Sequence, residues 1–285
     1  MAKVAIITDS TANISDAALL GLPIWSIPLQ VIWDGKTYLD GIDIKPAEFY
    51  TRLKTAKQTP TTSQPTPEAF KRVYQELIDQ GYDILTTVIS DDLSGTYNSA
   101  MQAKASLPDA RINIIDSRVT SMALGFPVLV GARAAQQGAS LEEVTELVKR
   151  GCSASGAIFA VSTLEYLHRG GRIGGAAAFL GTALNLKPLL KIENGKIGAI
   201  ERVRTQSKAI DRLVDLVIFE LRDKTSLHLS SLHVEAPEAA QMLLERVMAK
   251  LKHGEIRETF VTEVSPVIGT HTGPGTVGMA YTYGI

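Results

Sequence analysis

The sequence has one cysteine in 285 residues. Cys152 therefore has no intrachain disulfide partner and cannot belong to a multi-cysteine metal site, and the expected setting is a reducing one, the cytoplasm. Net charge is nearly absent too: 29 Lys and Arg stand against 30 Asp and Glu, a formal −1. No long-range field gathers DNA, RNA or anionic lipid, so nucleic-acid binding is disfavoured. Long apolar runs are missing. The opening stretch reaches Asp9 after only four consecutive apolar residues, too few for a signal-peptide core. The most apolar later stretch, Met122 to Ala132, spans eleven residues and contains Pro127. That is about half of what a membrane span needs. Histidines at metal-ligand spacing are absent as well: His168, His228, His233 and His253 form no His-x-x-x-His pair, and no metal is expected.

What is present is a 45% hydrophobic chain, ample for a packed interior, whose length suggests two domains. The first half alternates strand and helix signals. Val4 to Ile7, Ile84 to Ile89 and Ile112 to Ile115 are short apolar runs, each ending in Asp, Ser or Thr. Continuous apolar runs suit a parallel sheet covered on both faces. Between them, Pro67 opens a helix carrying Phe70, Val73, Tyr74 and Leu77, and Ser140 to Glu143 forms a capping box before a helix expected to stop at Gly151. The second half reads differently. Asn194-Gly195 between Leu189–Glu193 and Lys196–Arg204 predicts a two-residue hairpin. Helices follow from about Ser207 and over Ala240 to Leu251, with strands at Leu227–Val234, Glu255–Val264 and Val277–Tyr283. The change of pattern near Gly151 divides the chain into an N-terminal, Rossmann-like α/β domain with a parallel sheet over residues 1–150 and a C-terminal α/β domain with a mixed sheet over 151–285.

Four clusters carry chemistry. Thr61-Thr62-Ser63-Gln64-Pro65 offers hydroxyls just before a helix, where an anion is welcome, although an ordinary helix cap explains it as well. Leu93-Ser94-Gly95-Thr96 follows the carboxyl end of a strand, the place where open α/β sheets bind ligands; Gly95 lets a ligand approach the backbone and Ser94 can donate. No Gly-x-Gly-x-x-Gly or phosphate-loop lysine accompanies it, so nucleotide binding in the usual mode is unsupported. His168-Arg169-Gly170-Gly171-Arg172-Ile173-Gly174-Gly175 joins four glycines to two arginines. Glycines lose much backbone entropy on folding, so the run implies a shape requirement, and arginine offers a planar fork for carboxylate or phosphate. Gly269-Thr270-His271-Thr272-Gly273-Pro274-Gly275 sets Thr270, His271 and Thr272 in a glycine/proline frame where they can hydrogen-bond an oxyanion.

Taken together with Ile7-Thr8-Asp9-Ser10, Ile115-Asp116-Ser117 and Val203-Arg204-Thr205, these stretches resemble the DegV family of fatty-acid-binding proteins, in family order from residue 7 to residue 275. The resemblance implies a lipid held between two domains and no cofactor. It implies the non-catalytic binding subunit of a bacterial fatty acid kinase. Such a subunit offers the carboxylate of a long-chain fatty acid to a separate ATP-dependent kinase subunit and carries the acyl phosphate toward phospholipid synthesis. By motif, Thr62, Ser63, Ser94, Gly95, Thr270 and His271 fall around the carboxylate, and Arg172 and Arg204 on a positive face for the acyl phosphate or the kinase subunit. A reading from another class is a serine-type hydrolase using Ser94, His271 and Asp9 or Asp116. No Gly-x-Ser-x-Gly elbow surrounds Ser94, and such a triad is recognised by geometry rather than sequence.

Overall fold

In the computed structural model, which describes residues 3–56, 58–180, 186–251 and 255–285, three sheets organise the chain; His253 lies outside the described residues. Along the chain come β1 (Lys3–Asp9), α1 (Asp16–Leu19), β2 (Ile24–Ile27), β3 (Gln30–Trp33), β4 (Lys36–Leu39), α2 (Pro46–Leu53), β5 (Thr61–Ser63), α3 (Pro67–Asp79), β6 (Tyr82–Val88), α4 (Thr96–Ala105), β7 (Ile112–Asp116), α5 (Met122–Gln136) and α6 (Leu141–Ser153). Then follow β8 (Ser155–Ala160), α7 (Glu165–Arg169), β9 (Lys187–Glu193), β10 (Lys196–Val203), α8 (Gln206–Leu221), β11 (Leu227–His233), α9 (Pro237–Lys250), β12 (Ile256–Glu263), α10 (Pro266–Thr272) and β13 (Val277–Thr282).

The four strands of the first sheet, in order β2-β1-β6-β7, are all parallel. Alternate residues of its apolar strands serve opposite faces. Ala5, Ile7, Ile84 and Val88 pack with Phe70, Tyr74 and Leu77 of α3, while Val4, Ile6 and Leu85 turn toward α5. The second sheet, β10-β9-β8-β13-β11-β12, is mixed: only β11 and β12 run parallel. Its outer face carries α8 and α9 through Ile210, Leu213, Val217, Leu243 and Val247, the spacing the sequence predicted. Its inner face also meets α5, through Ala157, Leu232 and Ala280. Helix α5 is thus sandwiched between the two sheets. This explains why Met122 to Leu129 is apolar all round: every residue in that stretch is buried. Among the described residues no helix is long and apolar enough to cross a membrane.

Several local expectations hold. Pro67 opens α3, with the Thr66 hydroxyl as its cap. Ser140 and Glu143 form the reciprocal capping box. Asn194 and Gly195 take φ of 50° and 81° at the β9–β10 turn. Three differ. Helix α6 does not stop at Gly151 but runs to Ser153. Gly151 instead permits close approach, since a Cβ there would lie 2.9 Å from Ile285 Cδ1 and 3.1 Å from Pro127 Cβ. The hydroxyl run Thr61–Ser63 is a strand, paired to β3 with Thr62 opposite Val31 and Ser63 opposite Gln30. His271 lies in α10, a helix the glycine/proline frame concealed.

Candidate functional site

The parallel strands end side by side, so the segments after β6 and β7 share one edge of the sheet. Asp9 ties that edge together from the interior. Its carboxylate accepts from Ile89 N at 2.7 Å, from Thr11 N at 2.9 Å and from the Thr11 hydroxyl at 2.5 Å. Ser94 follows in the turn before α4, fixed by its backbone bond to Ser90 O at 3.1 Å. The hairpin tip of the other sheet closes over the same edge. Ser90 Oγ donates to Gly195 O at 2.8 Å, Arg118 donates to Asn194 O and pairs with Asp92 at 2.8 Å, and Lys196 reaches Asp92 at 3.3 Å.

Between edge, hairpin and α10 lies a cavity of about 860 Å³ counted with its open mouth. Most of its wall is aliphatic or aromatic, including Leu29, Phe159, Leu167, Ile197, Leu232 and Val267. Thr62, Ser63, Ser94, Arg172 and His271 also line it. Contacts gather these five at one end. Thr62 Oγ1 is 2.8 Å from His271 Nε2, Arg172 Nε donates to Leu93 O at 3.0 Å beside Ser94, and the Gln64 amide next to Ser63 lies against Gly95. Arg172 Nη1 donates to Gly170 O at 2.7 Å. Among the described residues no carboxylate pairs with this guanidinium, which leaves its charge available to an anion.

Burial, and then the neighbouring Arg172 cation, push the His271 pKa down to about 4. The ring is neutral at physiological pH. It carries one N–H and one lone pair, and the Thr62 hydroxyl matches whichever of these Nε2 presents. His271 Nδ1 faces Gly170, where a side chain would overlap it. The unfolded histidine protonates near 6.5 and the folded one near 4. The contribution of this group is therefore fully present above pH 6.5 and is lost as pH falls from there toward 4. Thermal melts of the ligand-free protein should show this acid limb, and His271→Asn should flatten it. An unchanged limb in that variant would assign it to other groups.

The remaining sequence-selected residues lie elsewhere. Gly95 is the N-cap of α4 and makes room for Gln64, 3.1 Å from a would-be Cβ, rather than lining the cavity. Thr270 is turned away, its hydroxyl donating to Pro266 O at 2.9 Å; it lines a separate cleft that shares Thr62 and His271 with the cavity. Arg204 is exposed beyond β10 and lines neither. No Ser-His-Asp relay is assembled. Ser94 Oγ bonds to Thr96 Oγ1 at 2.9 Å, His271 bonds to Thr62, Asp9 is occupied as described, and Asp116 accepts from Asp91 N and Arg118 N. Among the described residues no group of His, Cys, Asp or Glu is placed to hold a metal ion. Burial pushes the Cys152 thiol up to about 12, so it is inert as a nucleophile.

Residues that the sequence did not mark also shape the site. Gln30 accepts from Ser63 Oγ at 2.9 Å. Arg118 holds the hairpin tip, and Thr120 and Ser121 line the wall. Their proximity to the Asp116-Ser117 strand end was the available signal.

The chain is similar to known proteins along nearly its whole length. The profile of the DegV family, described as "Uncharacterised protein, DegV family", matches residues 3–284. A DegV domain-containing protein of Clostridium perfringens is 36% identical over 282 residues, 98% of each chain. Among solved structures, a fatty-acid-binding DegV family protein from Thermus thermophilus superposes with a TM-score of 0.92 at 35% identity, covering 99% of both chains. DegV from Bacillus subtilis, a fatty acid binding protein, superposes at 0.88 with 32% identity over the full length of both.

Proposed function

Because the chain belongs to the DegV family, we propose that it binds a long-chain fatty acid in the cavity and presents the carboxylate at the Thr62–His271 end. The observation that carries this reading is the cavity itself: a mostly apolar interior with the Thr62, Ser63 and Ser94 hydroxyls, one neutral imidazole and one guanidinium free of carboxylates gathered at one end. A fatty acid has the same division. Each buried methylene contributes about 0.8 kcal/mol before association costs, so the tail sets affinity. Hydrogen bonds to the charged head contribute about 1.5–3 kcal/mol each and set its orientation. Thr62 and Ser94, whose hydroxyls can accept from His271 and Thr96, supply neutral donors that hold a carboxylate without enclosing it in an ion pair; Ser63, which donates to Gln30, lies beside them, with Gly95 and Thr270 farther back.

Within this reading the protein has no catalytic residue and no cofactor, and it works in the cytoplasm. A separate ATP-dependent kinase subunit phosphorylates the presented carboxylate, and the acyl phosphate passes to phospholipid synthesis. Arg172, with Arg204 farther out, faces the phosphate or that subunit. Residues 1–150 and 151–285 are the two units between which the ligand lies.

Native mass spectrometry of protein purified from cells should show a bound fatty acid. Protein that emerges empty and also fails to bind added palmitate or oleate would refute the reading. Arg172→Ala should lower acyl-phosphate formation with the kinase subunit at least tenfold while fatty-acid binding persists. Unchanged turnover would remove Arg172 from the phosphoryl site.

A further inference from the structure

Among the described residues, two buried side-chain polar atoms without a hydrogen-bond partner belong to the wall of the cavity between sheet edge, hairpin and α10, His271 Nδ1 and Thr120 Oγ1. The first sits with the polar cluster. The second has no bond to that cluster; Thr120 stands between the end of β7 and the start of α5.

The turn that presents Thr120 is held in an unusual shape. Arg118 and Ser121 have φ of 61° and 54°, left-handed values that side chains larger than glycine rarely adopt. Both are fastened from outside: Arg118 by Asp92, Asp116 and Asn194 O, and Ser121 by a 3.0 Å bond between its hydroxyl and the Asn13 side-chain amide. Thr120, between them, has no such task. Thr145 and Thr270 return their hydroxyls to the backbone, at Leu141 O and Pro266 O, and the two other buried threonines left unpaired, Thr8 and Thr87, do not line the cavity. Valine has the same shape and would fill the Thr120 position without leaving a buried hydroxyl unpaired, which is costly in an apolar wall.

We propose that Thr120 is a polar station along the acyl-chain wall, and that the cavity favours a fatty acid carrying an oxygen function on its chain, a hydroxy fatty acid. This rests on the fatty-acid reading above. A chain hydroxyl loses its water on entering an apolar cavity and needs a partner there; Thr120 can donate to it and accept from it. An unsubstituted chain leaves Thr120 unpaired, and a site with a buried polar group discriminates against a ligand that cannot answer it.

The test titrates stearate and a series of monohydroxystearates, differing in hydroxyl position, against wild type and Thr120→Val. At least one isomer should bind wild type about tenfold or more tighter than the variant, the scale of one net hydrogen bond, while stearate binds the variant as well or better. Thr120→Ala serves as the second variant should valine fail to fold. The proposal is overturned if stearate binds normally and every isomer changes between wild type and variant only as stearate does, as a trapped water on Thr120 would produce. Stearate failing to bind wild type would instead refute the fatty-acid reading.

Discussion

Gly170→Ala should weaken fatty-acid binding by about 5- to 150-fold while leaving the fold intact. Gly170 closes α7 at φ −76° and ψ −5°, right-handed values that alanine adopts freely. The backbone therefore does not object. The added methyl overlaps His271 Nδ1, lies 2.7 Å from Cε1 and stands 3.1 Å from Tyr166 O. A carbonyl on one side and a ring on the other leave the methyl no room, so the imidazole must swing. That breaks the Thr62–His271 bond and displaces the neutral ring from the polar end of the cavity. Losing part or all of a hydrogen bond to the charged head, about 1.5–3 kcal/mol when complete, gives the stated range. Gly171 is the control. It has φ 69° with open space around a would-be Cβ, so Gly171→Ala strains the backbone without touching the ring. It should lower the melting temperature and spare affinity. Isothermal titration with oleate reads both variants; Gly170→Ala within twofold of wild type would show that His271 does not contact the head.

Asp9→Ala should destabilise the protein by about 2–6 kcal/mol, since two buried backbone N–H groups lose their acceptors at about 1–3 kcal/mol each, partly offset by relief of the burial that pushes the Asp9 carboxyl pKa up. The carboxylate is fully buried and accepts three bonds. Without it, Ile89 N and Thr11 N lose their acceptors in an interior where water cannot replace them. Asp9→Asn should recover little, because one side of the amide presents a donor where an acceptor is required. Two of the bonds fix the turn after β1, and the third fixes Ile89 at the cavity wall. Chemical denaturation measures the loss. A change below 1 kcal/mol would mean the edge holds itself by other contacts.

The parts of the fold visible in the sequence are those whose causes are local. Strands β1, β6 and β7 are apolar runs cut off by Asp, Ser or Thr, and the Asn194-Gly195 turn needs only two residues that accept positive φ. The small sheet of β3, β4 and β5 went unread for two reasons: Asp34-Gly35, with φ of 50° and 75°, is a hairpin turn joining β3 to β4 whose local signal was missed, while the three-residue β5 exists only through pairing across about thirty positions, as between Val31 and Thr62. Helix α10 was hidden for a different reason. Gly269 breaks the helical pattern because Tyr50 lies against it, donating to Val264 O at 2.8 Å and Ser265 O at 3.2 Å. At the site, Thr62, Ser63, Ser94, Arg172 and His271 were chosen from hydroxyl, glycine and arginine clusters, and the cavity brings all five together. Arg118 and Ser121 were missed because positive φ on a side chain larger than glycine is imposed by distant partners and leaves no mark in composition.

The sandwiched helix sets how this molecule can move. A clamshell protein releases its ligand by rotating two bodies about a hinge, each body keeping its own core. Here α5 belongs to the cores of both sheets at once, and swinging them apart would expose its buried stretch to water on at least one side. Such a motion approaches unfolding in cost, so the two sheets melt as one cooperative unit. In the fatty-acid reading, ligand exchange then falls to small parts at the rim: freeing the Asn194-Gly195 tip breaks only its bonds to Ser90, Arg118 and Asp92 and opens neither core.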